Sequence, residues 1–431
     1  MALDRYAFFR SKYEGALGAP KRMLNVAKQV YSQGYYLHDF GESITAPTGL
    51  FFEIVNFLKS YFFSNLPEAV VENLDAPDQI KEFTRTAIED IANSLCYNKK
   101  LFSEVDKAIL QCLIGGIGVV HFCPLYNYQT GVIEDFSIEF IDLKDLYFDP
   151  FLPLEENPVV ILEKQVSVDS AKERYGEDKI KPLINPSQTR LALNFVYDLE
   201  NAKYIVATKD FSTELEAFEF DPSLKDAFFV TLFFATPAGI YQYVSDSENI
   251  NPYVSIYTTI QPQLNSYAIL FYRYVKILLG LRSIGLVESS FQEILNALQL
   301  GEEGVLVPVS LQTFFNQIGN APPFLFLPLE EQSRALAEIR QALMELEMQI
   351  RERVGIPDVQ STTKVTAENY IRITPFLIDA RYANFIRQLD YFIARIYENY
   401  TRLFILTCDD ATLLNKAKID PAAIDPQIAL E

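Results

Sequence analysis

Residues 101–122 read LFSEVDKAILQCLIGGIGVVHF, and the hydrophobic period changes inside them. Val105, Ala108, Ile109 and Cys112 recur at helical spacing, which predicts a helix from about Ser103 to Leu113. From Ile117 the period is two, and Ile117–Pro124 alternates apolar and polar residues as a half-buried strand does. Gly115, Gly116 and Gly118 lie at the junction. They lack the spacing of a dinucleotide-binding GxGxxG and read as a helix-to-strand turn that needs small residues. One short stretch thus holds both kinds of element, and the fold class it points to is α+β.

Working outward, residues 48–64 and 77–98 carry apolar stripes at helical spacing, the second opened by Pro77 and Asp78. Downstream, Val132–Asp142 and Val159–Val166 alternate like strands, and Tyr128–Gly131 is the turn of a hairpin. A short helix is expected at Val168–Tyr175, capped by Ser167 or Asp169. Residues 191–257 are strand-rich and strongly acidic, and acidic strand edges resist stray pairing. The first 36 residues carry six bases against two acids. They read either as a flexible basic arm, as a helix lying on a partner, or as an ordinary solvated face.

From Gln261 the helical period returns, with Pro262 suited to a first turn and Gly280 and Gly285 bracketing the end. A compact segment follows: a helix near Ser290–Leu300, a strand Val305–Val309, and the run PPFLFLPL at 322–329. In 330–354, Leu336, Ile339, Leu343, Leu346 and Ile350 recur at spacings of 3, 4, 3 and 4, a heptad seam. Gly355 followed by Pro357 stops that helix. After a polar loop, a long aromatic helix spans about Ala367–Leu406, with Pro375 expected to kink it.

The chain has 431 residues, 49% of them hydrophobic, with 25 Tyr, 33 Phe and no Trp. It can bury a large core, and its weight of Tyr and Phe suits packing surfaces and subunit interfaces. A net charge of −20 excludes a basic DNA-binding face over the whole molecule. There is no GxxxxGK[ST], GxSxG, HExxH or HRD. His121 and Cys123 alternate on one strand face, but two further metal ligands are missing nearby, so a structural role is read for them. Four cysteines without paired spacing fit a reducing compartment. No secretory leader and no membrane span is read, and no cofactor is expected.

Three stretches, in order, resemble the portal (head–tail connector) protein of tailed bacteriophages, nearest to short-tailed phage connectors. They are 101–122 above, IEFIDLKDLYFDPFLP at 138–153, and RVGIPDVQSTTKVTAENYIRITPFL at 353–377. The last is similar to a VTATE-type stretch, with Ala367-Glu368 after Val365-Thr366 making the match partial. The resemblance spans roughly residues 45–405 and implies a portal fold. Its parts would be an N-terminal arm (1–44), a helical and β-rich wing (45–260), a stem helix (261–285), a small α/β clip (286–328), a second stem helix (329–354), a tunnel loop (355–366), a long helix beneath the crown (367–406) and a short crown or tail (407–431).

The same resemblance implies a homo-oligomer, a dodecamer around a channel for double-stranded DNA, at one vertex of the virion and assembled in the host cytoplasm. Its implied partners are the terminase large subunit, a tail adaptor, and the major capsid and scaffolding proteins. Thr362, Thr363, Lys364 and Arg372 would face DNA. The heptad seam packs either within one subunit or against a neighbour's stem helix. Val305, Val307, Phe324 and Phe326 sit in strands too small to be buried alone, so pairing with an adjacent clip is expected. Two rival readings stand beside this one: another ring-forming tail or adaptor protein, and an enzyme with an acidic site in the β-rich block.

Overall fold

A computed structural model describes residues 2–33, 35–37, 44–46, 49–71, 78–98, 100–126, 133–185, 187–235, 251–280, 283–288, 304–309, 324–326, 330–356 and 367–408. Its elements, in chain order, begin with α1 (Ala2–Ala16), α2 (Gly18–Gln33), the paired strands β1 (Tyr35–Leu37) and β2 (Ile44–Ala46), α3 (Leu50–Phe62), α4 (Asp78–Asn98) and α5 (Leu101–Gly115). Next come β3 (Ile117–Tyr126), β4 (Ile133–Ile141), β5 (Leu146–Tyr147), β6 (Val159–Ser167), α6 (Val168–Tyr175), α7 (Glu177–Ile180), β7 (Arg190–Asp198), β8 (Lys203–Thr208), β9 (Glu214–Glu219) and β10 (Phe229–Phe233). The last are α8 (Ile256–Gly280), β11 (Ser283–Glu288), β12 (Gly304–Val309), β13 (Phe324–Phe326), α9 (Glu330–Val354) and α10 (Ala367–Thr407). The chain is mixed helix and sheet, as the change of period at 101–122 predicts. It divides into two units, one of residues 1–31, 52–259 and 371–431, the other of 32–51 and 260–370.

In the first unit, β10, β3 and β4 form one antiparallel sheet and β5 to β9 another, in sequence order. The glycines after α5 have a steric cause. Gly116 caps the helix at φ +88°, a left-handed conformation that glycine adopts without strain. A Cβ on Gly118 would collide with the backbone carbonyl of Ala108, so glycine lets strand and helix touch. Ser167 caps α6, its Oγ accepting from the Ser170 N–H at 3.1 Å. β9 is an outer strand and carries Glu214, Glu216 and Glu219, the acidic edge read from sequence.

The N-terminal segment is neither a flexible arm nor a solvated face. Tyr6, Tyr13, Leu17, Leu24 and Ala27 are buried. The bases of α1 and α2 pair with acids of the β-rich block: Arg5 with Asp198 and Glu200, Arg10 with Glu163, Lys12 with Asp149, and Lys28 with Asp142 at 2.6 Å. These partners lie more than a hundred residues away along the chain, which is why local charge counting could not find them.

Three further expectations are corrected. Helix α8 begins at Ile256, not near Pro262, because Ser255 and Thr258 form a reciprocal cap. Ser255 Oγ accepts from the Thr258 N–H at 3.1 Å, and Thr258 Oγ1 from the Ser255 N–H at 2.8 Å. Pro262 therefore lies inside the helix. The same helix ends at Gly280, and the residues around Gly285 form strand β11 instead of a helix end. In α10 the helical dihedrals break at Tyr382 (φ −104°, ψ 15°), not at Pro375. The Tyr382 ring is held edge-on by Phe62 at 5.3 Å and by Phe234 at 5.9 Å.

Candidate functional site

The elements that the sequence marks for assembly lie in the second unit. Helix α9 ends in a Schellman motif: the Gly355 N–H bonds to Glu352 O at 3.0 Å, the Ile356 N–H to Arg351 O at 2.8 Å, and Gly355 takes φ +82°. On α9, Leu343 and Ile350 are buried, while Leu336, Ile339 and Leu346 are half-buried. Arg334, Glu338 and Met344 lie on the exposed faces, and Glu347 accepts from Arg351 at 2.9 Å one turn away. Helix α8 carries a matching series, Leu264, Ala268, Phe271, Val275 and Leu278, at spacings of 4, 3, 4 and 3.

Burial fades along both series. Leu264 and Ala268 are 3% and 1% exposed, Phe271 and Val275 are half-buried, and Leu278 is 43% exposed. On α9 the gradient runs the other way along the chain, from Ile350 at 0% to half-buried Ile339 and Leu336. The apolar ends that stay open are those adjoining the segment between the helices in sequence.

That segment contains a three-stranded sheet in the order β12-β11-β13, with β11 parallel to β12 and antiparallel to β13. Val305 and Val307 on β12 pair with Ile284 and Leu286 of β11, and Phe324 and Phe326 on β13 with Val287 and Gly285. The strands expected to need an adjacent chain thus already have a partner in their own. β12 and β13 are the outer strands of this sheet. The predicted helix near 290–300, the loop residues Thr362, Thr363 and Lys364, and residues 409–431 lie outside the described residues. Arg372 lies on α10.

In the first unit the conspicuous acids are engaged by bases. Glu163 meets Arg10 and, at 2.8 Å, Lys209. Burial alone would raise its carboxyl, but the Lys209 ammonium and the Arg10 guanidinium outweigh that and hold it low. Glu216 pairs with Arg174, Glu139 with Lys164, and Asp226 with both Arg395 and Arg402. Asp198 is fully buried and accepts from the Tyr6 hydroxyl at 2.9 Å and from Asn201 Nδ2 at 2.9 Å.

His121 is buried on β3 with its Nε2 2.5 Å from the Tyr197 hydroxyl and its ring 4.9 Å from that of Phe229. Burial, and then the Lys164 charge, push its pKa well below the ordinary histidine value. Among the described residues, no group of three or more His, Cys, Asp and Glu side chains is placed to hold a metal ion, and no helix is long and apolar enough to cross a membrane. No protein-family model matches the chain, and no curated protein matches its sequence.

Proposed function

We propose that this chain is the subunit of a ring-shaped portal, a conduit for double-stranded DNA at one capsid vertex. The observation that carries the reading is the pair of heptad seams on α8 and α9, each buried at one end, with the other end exposed on α8 and half-buried on α9. Each helix has 25 residues and is about 37 Å long. An apolar seam of that length left half-open in one chain is the kind of surface that a second copy covers. The order of elements adds support: a long helix, a small sheet and a second long helix follow one another over residues 256–354, which from residue 260 on belong with residues 32–51 to the second unit.

In this reading α8 and α9 form the stem, β11–β13 the clip, and the first unit the wing. The clip docks the terminase large subunit and later the tail adaptor, and the wing meets capsid and scaffolding proteins. A portal breaks no bonds; the motor does the work. With −20 charges per subunit, acidic walls repel phosphate, so the duplex slides without being trapped. Lys364, with Thr362, Thr363 and Arg372, would offer the few DNA contacts that centre it.

Mass photometry of the purified protein tests the proposal. Twelve copies of 49.2 kDa give a species near 590 kDa with a bore visible in negative stain. A stable monomer at micromolar concentration refutes it.

A further inference from the structure

The stretch between α3 and α4 is bound to its own protein as a peptide ligand would be. The Ala69 N–H donates to Asn93 Oδ1 at 2.8 Å, and Asn93 Nδ2 donates back to the Ala69 carbonyl at 3.1 Å. The Val71 N–H donates to Glu89 Oε1 at 2.9 Å, and the Tyr397 hydroxyl donates to the Pro67 carbonyl at 2.8 Å. The residues held are 67, 69 and 71. That alternation is the period of an extended strand, whose successive residues turn their backbone groups to opposite edges. Side chains of α4 and α10 thus supply on one edge what a neighbouring strand would supply with its main chain.

The other edge presents the N–H and C=O of Glu68 and Val70. Among the described residues neither has a backbone partner. A cleft of about 350 Å³, lined in part by Glu68 and Val70, adjoins the same stretch. Pro67, Val70, Ile393 and Tyr397 give it apolar walls, and Glu68 and Asp390 add two carboxylates. Val70 is 63% exposed, and neither carboxylate has an ion pair among the described residues.

We propose that this open edge and the adjoining cleft bind an extended segment of a partner protein that carries lysine or arginine. The free backbone groups at 68 and 70 accept a strand in register. The apolar walls take an aliphatic stem and the two carboxylates its cationic end, a combination that only lysine and arginine offer. A second copy of this chain is a poorer occupant, because it brings −20 charges to a site that is itself acidic. The proposal stands independently of the ring reading, since every residue in it belongs to the first unit.

Fluorescence anisotropy with the full-length protein tests it, using a short fluorescein-labelled peptide of alternating valine and lysine and a second with glutamate for lysine. The valine–lysine peptide binds at physiological salt and the valine–glutamate peptide does not. Val70→Pro removes an outward N–H that has no partner among the described residues and weakens binding about tenfold. Asp390→Lys does the same by reversing the charge at the rim, and as a change at an exposed position it spares folding. Asp178→Lys, an equal change of charge on exposed α7, leaves the affinity unaltered. No binding of the basic peptide, or an equal loss from Asp178→Lys, overturns the proposal. So does self-association that Val70→Pro abolishes without any peptide being bound, which would assign the cleft to a second copy.

Discussion

Truncating the α9 seam at its two ends separates packing inside a subunit from packing between subunits. Ile350 is fully buried within the single chain. Ile350→Ala therefore removes a complete side chain from a core and leaves a cavity, costing about 3–4 kcal/mol of subunit stability. Ile339 is half-buried, so of the roughly 2 kcal/mol that full burial of isoleucine contributes, about half is already present in the isolated chain. Ile339→Ala should cost the subunit about 1 kcal/mol. If a neighbour covers the exposed half, each interface loses about 1 kcal/mol more, and Leu336→Ala with Ile339→Ala together about 2 kcal/mol. That corresponds to about thirtyfold in the concentration that drives assembly. Urea unfolding at nanomolar concentration reads the first quantity, and mass photometry over a dilution series reads the second. The expected outcome is a small stability loss with a large assembly defect for the 336/339 pair. The reasoning fails if the pair destabilises the dilute subunit as much as Ile350→Ala does while rings form at unchanged concentration.

Other outcomes follow from particular contacts. Gly118→Ala drives a methyl into the Ala108 carbonyl and should lower the unfolding free energy by about 2–3 kcal/mol, read as a lower urea midpoint at unchanged slope. Removing residues 1–17 takes Tyr6, Tyr13 and Leu17 out of the core, a loss of roughly 5 kcal/mol that should leave the protein unfolded or aggregated by circular dichroism; a soluble, native-like truncation would restore the arm reading. The buried His121 holds its proton less well folded than unfolded. Stability is therefore retained above the unfolded value near 6.5 and lost as pH falls below it, by up to about 1.4 kcal/mol per unit until the folded pKa is reached. His121→Gln should flatten that slope between pH 6.5 and 5.5. On the portal reading, Lys364→Glu should leave ring assembly intact and impair packaging or retention of DNA, and unchanged genome content in such particles would refute the role given to Lys364.

Local signals carried far in this sequence. The switch at Gly115–Gly118, the Ser167 cap and the Gly355 stop were all readable because their causes lie within a few residues. The misreadings share the opposite property. Strand β11 follows an apolar helix without a clear break, and its alternation over Ser283–Glu288 is short; its partners, β12 and β13, come later in the chain. The start of α8 was hidden because Pro262 is a plausible first-turn residue, whereas the Ser255–Thr258 pair that sets the start is a less familiar form of the capping box. The peptide-like stretch at 67–71 has no periodicity to notice. What holds it are Asn93, Glu89 and Tyr397, whose helices read simply as amphipathic.

The placement of the N-terminal bases changes the electrostatic argument about DNA. Counted along the sequence, residues 1–36 are the most basic stretch of a chain with net charge −20 and the natural candidate for a phosphate contact. In the fold, four of those bases neutralise acids of the sheet block, and Lys21 reaches the Lys144 carbonyl at 2.9 Å over the Tyr147 ring. Farther on, Arg395 and Arg402 both serve Asp226, and Arg351 serves Glu347. A base already paired with a carboxylate gains little by turning to phosphate, because it must give up one anion to take another. Binding strength grows with the number of phosphates neutralised, each releasing condensed counterions. Pairing these cations internally therefore lowers that number per subunit. On the portal reading, the contacts proposed for a duplex are those of Lys364 and Arg372 with Thr362 and Thr363. Among the described residues, Arg387 bonds to neutral groups, the Ala383 carbonyl and Asn384 Oδ1. On the portal reading, a sparse cationic set on an acidic body would favour passage of DNA over capture, the behaviour a conduit requires.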